Sequence, residues 1–205
     1  MRDLYTVSAD DVPNTVAVGW VYKLPFGKGH ALLGGGSGAV DKVVGGWQLS
    51  ATQSYSSGRP INVTMPNSLG TYLFNYARYP NVVGNGRNKN FSNPYTQLYL
   101  NSSGWSDPGS LANGLPALGN APRQDQNVRG FPYYNEDLSL IKDTHFSEQT
   151  YLRFHADAGN ILNRHYFCYG QAASNTTVWG TSAFGTVSSQ CNIPRRLQLA
   201  LELFF

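Results

Sequence analysis

The sequence predicts an all-β fold: about five antiparallel strands from the C-terminal segment of a transmembrane β-barrel, joined by long external loops. Three observations lead there. Apolar residues alternate with polar ones in segments close to the length of a tilted membrane strand. Charged residues make up only 13% of the chain and aromatics also 13%, whereas soluble domains carry roughly 25% charge. Long connections, rich in Gly, Pro, Asn and Ser, take turns with short ones. Something other than charge must therefore cover much of this surface.

The first predicted strand covers about residues 14–24. Val16, Val18, Trp20, Tyr22 and Leu24 oppose Thr15, Ala17, Gly19, Val21 and Lys23, because successive strand side chains point to opposite faces. Pro25 to Gly45, with its run Gly34-Gly35-Gly36-Ser37-Gly38, reads as a long periplasmic turn and fits the barrel pattern least well. The second strand, 46–57, sets Trp47, Leu49, Ala51 and Tyr55 against Gln48, Ser50, Thr52 and Ser54, with Gln53 interrupting the apolar face. A long external loop, 58–134, follows. The third strand, 135–143, is a weaker alternation around Leu138 and Leu140, ending near Lys142. Across a short turn lies the fourth, 149–160, where Leu152, Phe154, Ala156 and Ala158 oppose Tyr151, Arg153, His155 and Asp157. A second external loop, 161–194, leads to the last strand, 195–205.

The last strand is the clearest. Leu197, Leu199, Leu201, Leu203 and Phe205 share one face, and Phe204 is the one apolar residue on the other. A helix would scatter these leucines around its circumference. The strand ends the chain in an aromatic carboxylate, where outer-membrane barrels carry their assembly signal. Full charges or a titratable ring occupy the polar face at Arg153, His155, Asp157, Arg196 and Glu202. A dry core would not accept them unpaired; a water-filled or plugged lumen would. Short turns belong on the periplasmic side and long loops outside, and the connections around the last three strands alternate in that way. Trp20, Tyr22, Trp47 and Tyr55 suit the aromatic girdles that meet lipid head groups.

In the loops, Tyr72, Phe74, Tyr76 and Trp105 are candidates for external ligand contact, since aromatic side chains bury large area at low entropic cost; the other reading is a small core of the loop itself. Cys168 and Cys191 both lie in the second loop, which faces an oxidising compartment, so a disulfide between them is expected. No CxxC or Cys/His cluster has zinc-site spacing, and the glycine run lacks the endings of a phosphate loop or a nucleophile elbow. No metal, cofactor or enzymatic activity is indicated. The net charge of +3 is spread along the chain, with no basic run to track a phosphate backbone, so nucleic acid is not an expected partner. No stretch reaches the about 20 apolar residues of a membrane helix.

Several motifs together resemble the TonB-dependent receptor family, in particular its Oar-like barrels. They are Leu24-Pro25-Phe26-Gly27-Lys28-Gly29 after one strand, Gly45-Gly46-Trp47-Gln48-Leu49-Ser50 opening the next, and Tyr55-Ser56-Ser57-Gly58-Arg59-Pro60 closing it. Asn135-Glu136-Asp137-Leu138-Ser139-Leu140 and the run from Leu152 through Asp157-Ala158-Gly159-Asn160-Ile161-Leu162-Asn163-Arg164 to His165 resemble the penultimate hairpin, the second being the most specific motif. Pro194-Arg195-Arg196-Leu197-Gln198-Leu199 completes the set. The resemblance implies a 22-stranded barrel with a plug, of which residues 1–205 would be the C-terminal fragment. It implies outer-membrane location and energy-coupled passage of a large solute or polypeptide. The implied partners are outer-membrane lipid, the barrel-assembly machinery, the TonB system through upstream segments, and a transported substrate whose identity the residues do not disclose. Two other readings stay open: an outer-membrane adhesion or structural barrel that moves nothing, and a secreted β-sandwich binding carbohydrate through its aromatic loops.

Overall fold

The structure is a computed structural model that describes residues 5–27, 29–32, 38–66, 77–169 and 175–205. Along the chain the strands are β1 (Thr15–Lys23), β2 (Trp47–Ser56), β3 (Pro60–Ile61), β4 (Asn81–Val82), β5 (Trp105–Ser106), β6 (Asp125–Arg129), β7 (Tyr133–His145), β8 (Tyr151–Gly159) and β9 (Arg196–Phe204), with helix α1 (Gly38–Val44) between β1 and β2. The chain divides into two compact units. One is built from Thr15–Ser56, Tyr133–His165 and Asn192–Phe205, the other from Met1–Asn14, Ser57–Pro132 and Tyr166–Cys191.

The first unit is one antiparallel sheet in the order β1-β2-β7-β8-β9. Its strands are the five that the alternation predicts. Four are nine or ten residues long and β7 has 13, against the about 9–11 that a tilted strand needs to cross the hydrocarbon. β7 outruns its predicted limits of 135–143 because it has partners beyond them: Tyr133 pairs with Ser56 of β2 and His145 with Tyr151 of β8. Those ends carry no clear alternation, so only the ladder reveals them. β1 and β9 are the two edges of the sheet.

The turn predicted over Pro25–Gly45 contains α1, which period-2 reasoning could not anticipate. Of its glycine run, positions 34–37 lie outside the described residues, and Gly38 opens the helix. Gly45 N–H bonds to Asp41 O at 2.8 Å, and Gly46 then turns the chain into β2 with φ +73°. No other residue suits that position, because a Cβ there would collide with the Asp143 carbonyl on top of the cost of left-handed backbone.

A polar lock holds the far ends of β7, β8 and β9, and it is made from the most specific sequence motif. Asn160, 3% exposed, sits at φ +48° just past β8. Its backbone N–H donates to Asp137 Oδ1 (2.8 Å), its Oδ1 accepts from Arg164 N (2.7 Å), and its Nδ2 donates to Arg164 O (2.9 Å) and Ile193 O (3.1 Å). Asn163, also left-handed at φ +51°, accepts from Arg195 N at 3.3 Å. Arg164 in turn pairs with the buried Glu136 of β7 at 3.3 Å. Asn is the non-glycine residue best suited to left-handed backbone, and here its amide also satisfies strand-end groups that no ladder reaches.

The second unit is made of the two long loops and the N-terminal segment, and it has a hydrophobic core of its own. Ile61, Val63, Tyr99, Leu100, Trp105, Val128, Tyr169, Phe184 and Val187 are buried together. The Tyr99 ring lies 4.3 Å from Phe131 and 4.9 Å from Tyr169. Both phenols find carbonyls, Tyr99 Oη donating to Arg129 O at 2.5 Å and Tyr169 Oη to Thr176 O at 2.9 Å. Burial pushes both tyrosines above the ordinary value of 10.0. Two short ladders, β3 with β6 and β4 with β5, brace the unit. Arg129 ties in the N-terminal segment, its Nη2 lying 2.5 Å from Asp11 Oδ2. Cys168 and Cys191 form a disulfide spanning 23 positions.

Two outcomes are expected. Asn160→Ala removes the lock and leaves a β-carbon in left-handed backbone, so thermal unfolding of the detergent-solubilised protein should show a loss on the order of 3 kcal/mol. Asn160→Gly, which relieves the backbone but not the hydrogen bonds, should fall between. Thiol labelling without reductant should modify neither cysteine, and Cys168→Ser with Cys191→Ser should destabilise the loop unit by roughly 3 kcal/mol on the chain-entropy model.

Candidate functional site

The register assigns every long-strand residue to one of two faces, since directly paired residues in an antiparallel ladder point the same way. One row of the apolar face runs Trp20, Ala51, Leu138, Ala158, Leu197; the next runs Tyr22, Leu49, Leu140, Ala156, Leu199. A third joins Trp47, Lys142, Phe154 and Leu201, and a fourth Thr144, Leu152 and Leu203. The leucines of β9 are 58 to 72% exposed, a contiguous apolar surface of the kind that marks a membrane or protein contact. Val43 and Val44 of α1 line an apolar depression with Leu24, Trp47 and Leu140, so the helix continues this face.

Polar residues bound the band at both ends. Gln53, which breaks the alternation of β2, pairs with Glu136, in the row beside the Asn160 lock. At the opposite end the Lys142 ammonium lies 5.1 Å from the Trp47 ring centre and donates to Gly45 O at 2.5 Å. A lysine with its stem on apolar surface and its head at the margin is the snorkelling arrangement. Trp47 and Tyr55 stand at the two ends of β2, each on the apolar face, as girdle aromatics do.

The other face is charged. Arg153, His155 and Asp157 lie on it as the alternation predicts, with Arg196 and Glu202 on the neighbouring strand. Its strongest contact involves a partner that the alternation did not single out. Arg153 grips Asp143 of β7 through two hydrogen bonds, Nε to Oδ1 at 2.7 Å and Nη2 to Oδ2 at 2.8 Å, the bidentate form that makes Arg–carboxylate pairs strong and directional. The clue was available only as cross-strand register. His155 Nε2 lies 3.9 Å from Glu202 Oε2. Asp157 accepts from the Ser139 hydroxyl rather than from an arginine. With Asp137, Ser139 and Arg196 it lines a cleft of about 420 Å³.

Phe204, the apolar residue on the polar side of the last strand, has a place in this network. Its ring stacks on Tyr151 with centroids 4.5 Å apart and planes at 9°, and the Arg153 guanidinium sits 5.3 and 5.5 Å from the two ring centres. The aromatic pair gives the cation a face to rest on.

An apolar face set against a charged one across five paired strands is the surface pattern of a membrane barrel wall. The family model described as outer membrane beta barrel domain matches residues 1–198. The chain belongs to this family. No curated protein and no solved structure matches it. Membership places this outer membrane beta barrel domain in the bacterial outer membrane, and the apolar face is then the one that meets lipid.

Of the four loop aromatics, for which ligand contact and a small loop core were both open, Trp105 takes the second role. Trp105 is 3% exposed and packs edge-on against Phe184 at 5.4 Å. It is a core residue of the loop unit and offers no surface to a ligand, because an indole in this short-stranded unit is worth more as packing area than as a probe in solvent. Tyr72, Phe74 and Tyr76 lie outside the described residues. Among the described residues no group of His, Cys, Asp and Glu is arranged to hold a metal ion.

The two faces make opposite demands on adjacent positions of β9. Leu199→Lys places a charge in the middle of the lipid-facing rows and should cost about 2 to 4 kcal/mol. Gln198→Lys, one residue away, sets a lysine directly opposite Asp157 and should be nearly neutral. Outer-membrane abundance and heat-modifiable mobility of the two variants check this; equal behaviour would mean that the faces are assigned wrongly.

Proposed function

We propose that this chain forms part of the wall of a TonB-dependent transporter, which passes a large solute or polypeptide across the outer membrane with energy supplied from the inner membrane. The observation that carries the reading is the sheet itself: apolar on one face, ion-paired on the other, and, among the described residues, without a further strand at either edge. Unpaired backbone groups in hydrocarbon cost several kcal/mol each, and a closed barrel with a filled bore takes about eight strands. The sheet therefore needs further strands, and a longer polypeptide of which this is the C-terminal portion would supply them. The Arg153–Asp143 pair and the Asp157 cleft are then lumenal, where a plug or a water-filled path would solvate them. The motif that most resembles the Oar-like barrels is the one that forms the Asn160 lock, which ties the resemblance to a structural role. The terminal strand, with Leu197, Leu199, Leu201, Leu203 and Phe205, is the part that the barrel-assembly machinery would read.

A second reading, an adhesion or structural barrel, draws on the loop unit, whose own core and disulfide suit a rigid outward-facing module. The two separate on one measurement. After in-cell crosslinking, the full-length transporter should co-purify with TonB, and removing TonB should abolish uptake dependent on it. A full-length protein at normal outer-membrane levels that never captures TonB would reject transport in favour of adhesion.

A further inference from the structure

Helix α1 lies beside the lipid-facing rows of the sheet and is itself amphipathic. Ala39, Val40, Val43 and Val44 fall on one side of it, Asp41 and Lys42 on the other. The protein buries none of these residues; Val40 stays 45% exposed and Val43 66%. Two strand side chains clamp the end of the helix to the sheet, Trp47 Nε1 donating to Val43 O at 3.1 Å and Lys142 Nζ to Gly45 O at 2.5 Å. Between helix and sheet runs a depression of about 410 Å³, lined by Leu24, Phe26, Val43, Val44, Trp47 and Leu140. All six side chains are apolar. Two cations flank it. Lys142 rests on the Trp47 ring, and the Lys42 ammonium lies 5.7 Å from the ring centre of Phe146, which is 56% exposed in the short turn between β7 and β8.

We propose that the depression holds an acyl chain of an acidic phospholipid of the periplasmic leaflet, whose head group meets Lys42 and Lys142. The occupant follows from continuity. Trp47 and Leu140 belong to rows that already face lipid, so hydrocarbon covers the depression, and a soluble partner would have to displace bilayer to reach it. The leaflet follows from the short turn, since short turns of outer-membrane barrels face the periplasm. The sign of the charge follows from the cations. The helix carboxylate, Asp41, is turned against the backbone of Gly27 and Gly45, whereas Lys42 is exposed and Lys142 keeps two N–H donors beyond the one on Gly45 O. Apolar side chains at the acyl boundary with lysines at head-group level are the arrangement of interfacial helices, and such lysines attract anionic lipid. The inference rests on membership of the outer-membrane family and goes beyond the transport reading, since it needs neither TonB nor passage through the barrel.

The test is native mass spectrometry of the full-length, detergent-purified protein titrated with phosphatidylglycerol or with phosphatidylethanolamine of the same acyl chains. Phosphatidylglycerol should be retained about tenfold more tightly, because each lysine near the head groups contributes roughly fivefold. Lys42→Gln, at an exposed side chain, should cut that preference about fivefold and leave the melting temperature unchanged. It decides alone if Lys142→Gln, which also loses the bond to Gly45 O, does not fold. Val43→Asn should weaken retention of both lipids alike, because it removes apolar area and no charge. Inorganic phosphate should not release the lipid, since the chain in the depression holds it as well. Equal retention of the two lipids, an unchanged preference in Lys42→Gln, full retention by Val43→Asn, or displacement by inorganic phosphate overturns the proposal. Since the assay uses purified protein, loss of TonB capture in cells would bear on transport and leave this result untouched.

Discussion

The requirement that every backbone N–H and C=O in hydrocarbon find a partner governs this molecule. Water is absent there, so only ladders or helices satisfy it, and the chain uses ladders: β1, β2, β7, β8 and β9 pair side by side across one sheet, with the loop-unit strands β3 to β6 intervening in the chain between β2 and β7. The period-2 alternation follows, since a sheet between lipid and lumen must present different chemistry on its two sides. The places where the ladder stops are equally constrained. At one end of the sheet Asn160 supplies amide groups to carbonyls and N–H groups left over after β8; at the other, Gly46 turns the chain tightly against Asp143.

Charge is distributed according to the same requirement. The lipid-facing rows keep their polar residues at the margins, Lys142 reaching the Gly45 carbonyl and Glu136 pairing with Arg164. On the opposite face charges are admitted in the middle of the strands, but most are engaged: Arg153 with Asp143 and the stacked rings, Asp157 with Ser139. A half-exposed pair of this sort adds little stability by itself. Its consequence is positional, fixing a cation and an aromatic stack on the lumenal side near the short turn. The loop unit obeys the ordinary rules of water-soluble domains instead, with a small aromatic core and a disulfide that makes up for limited size.

Much of this was legible from residue order. Leu197, Leu199, Leu201 and Leu203 declared their face because nothing interrupts them, and Trp20 and Tyr22 did so for β1. Phe204 broke the rule, and only the stack on Tyr151 explains why it is tolerated. The ends of β7 were hidden because Tyr133, Tyr134, Thr144 and His145 show no apolar alternation; their strand conformation comes from partners on β2 and β8. Helix α1 was missed because a seven-residue helix after a glycine run leaves too little periodicity to detect. Trp105 left ligand contact and loop core both open in the sequence, and the choice between them rests on Phe184, nearly eighty positions away.

Sequence by itself determined the five long strands and the two faces of their sheet, and a family resemblance carried by its motifs implied the outer membrane; the four short strands of the loop unit it did not disclose. Those properties are local: alternation needs only neighbours two apart, and membrane strands announce themselves by length and lack of charge. Tertiary structure decided which charges meet, which asparagine locks the strand ends, and that two long loops share one core and one cavity. Each of these joins residues distant in the chain, such as Glu136 with Arg164, Asn160 with Ile193 and Asn62 with Tyr169. Their approach is set by register and packing, which no short window of residues contains.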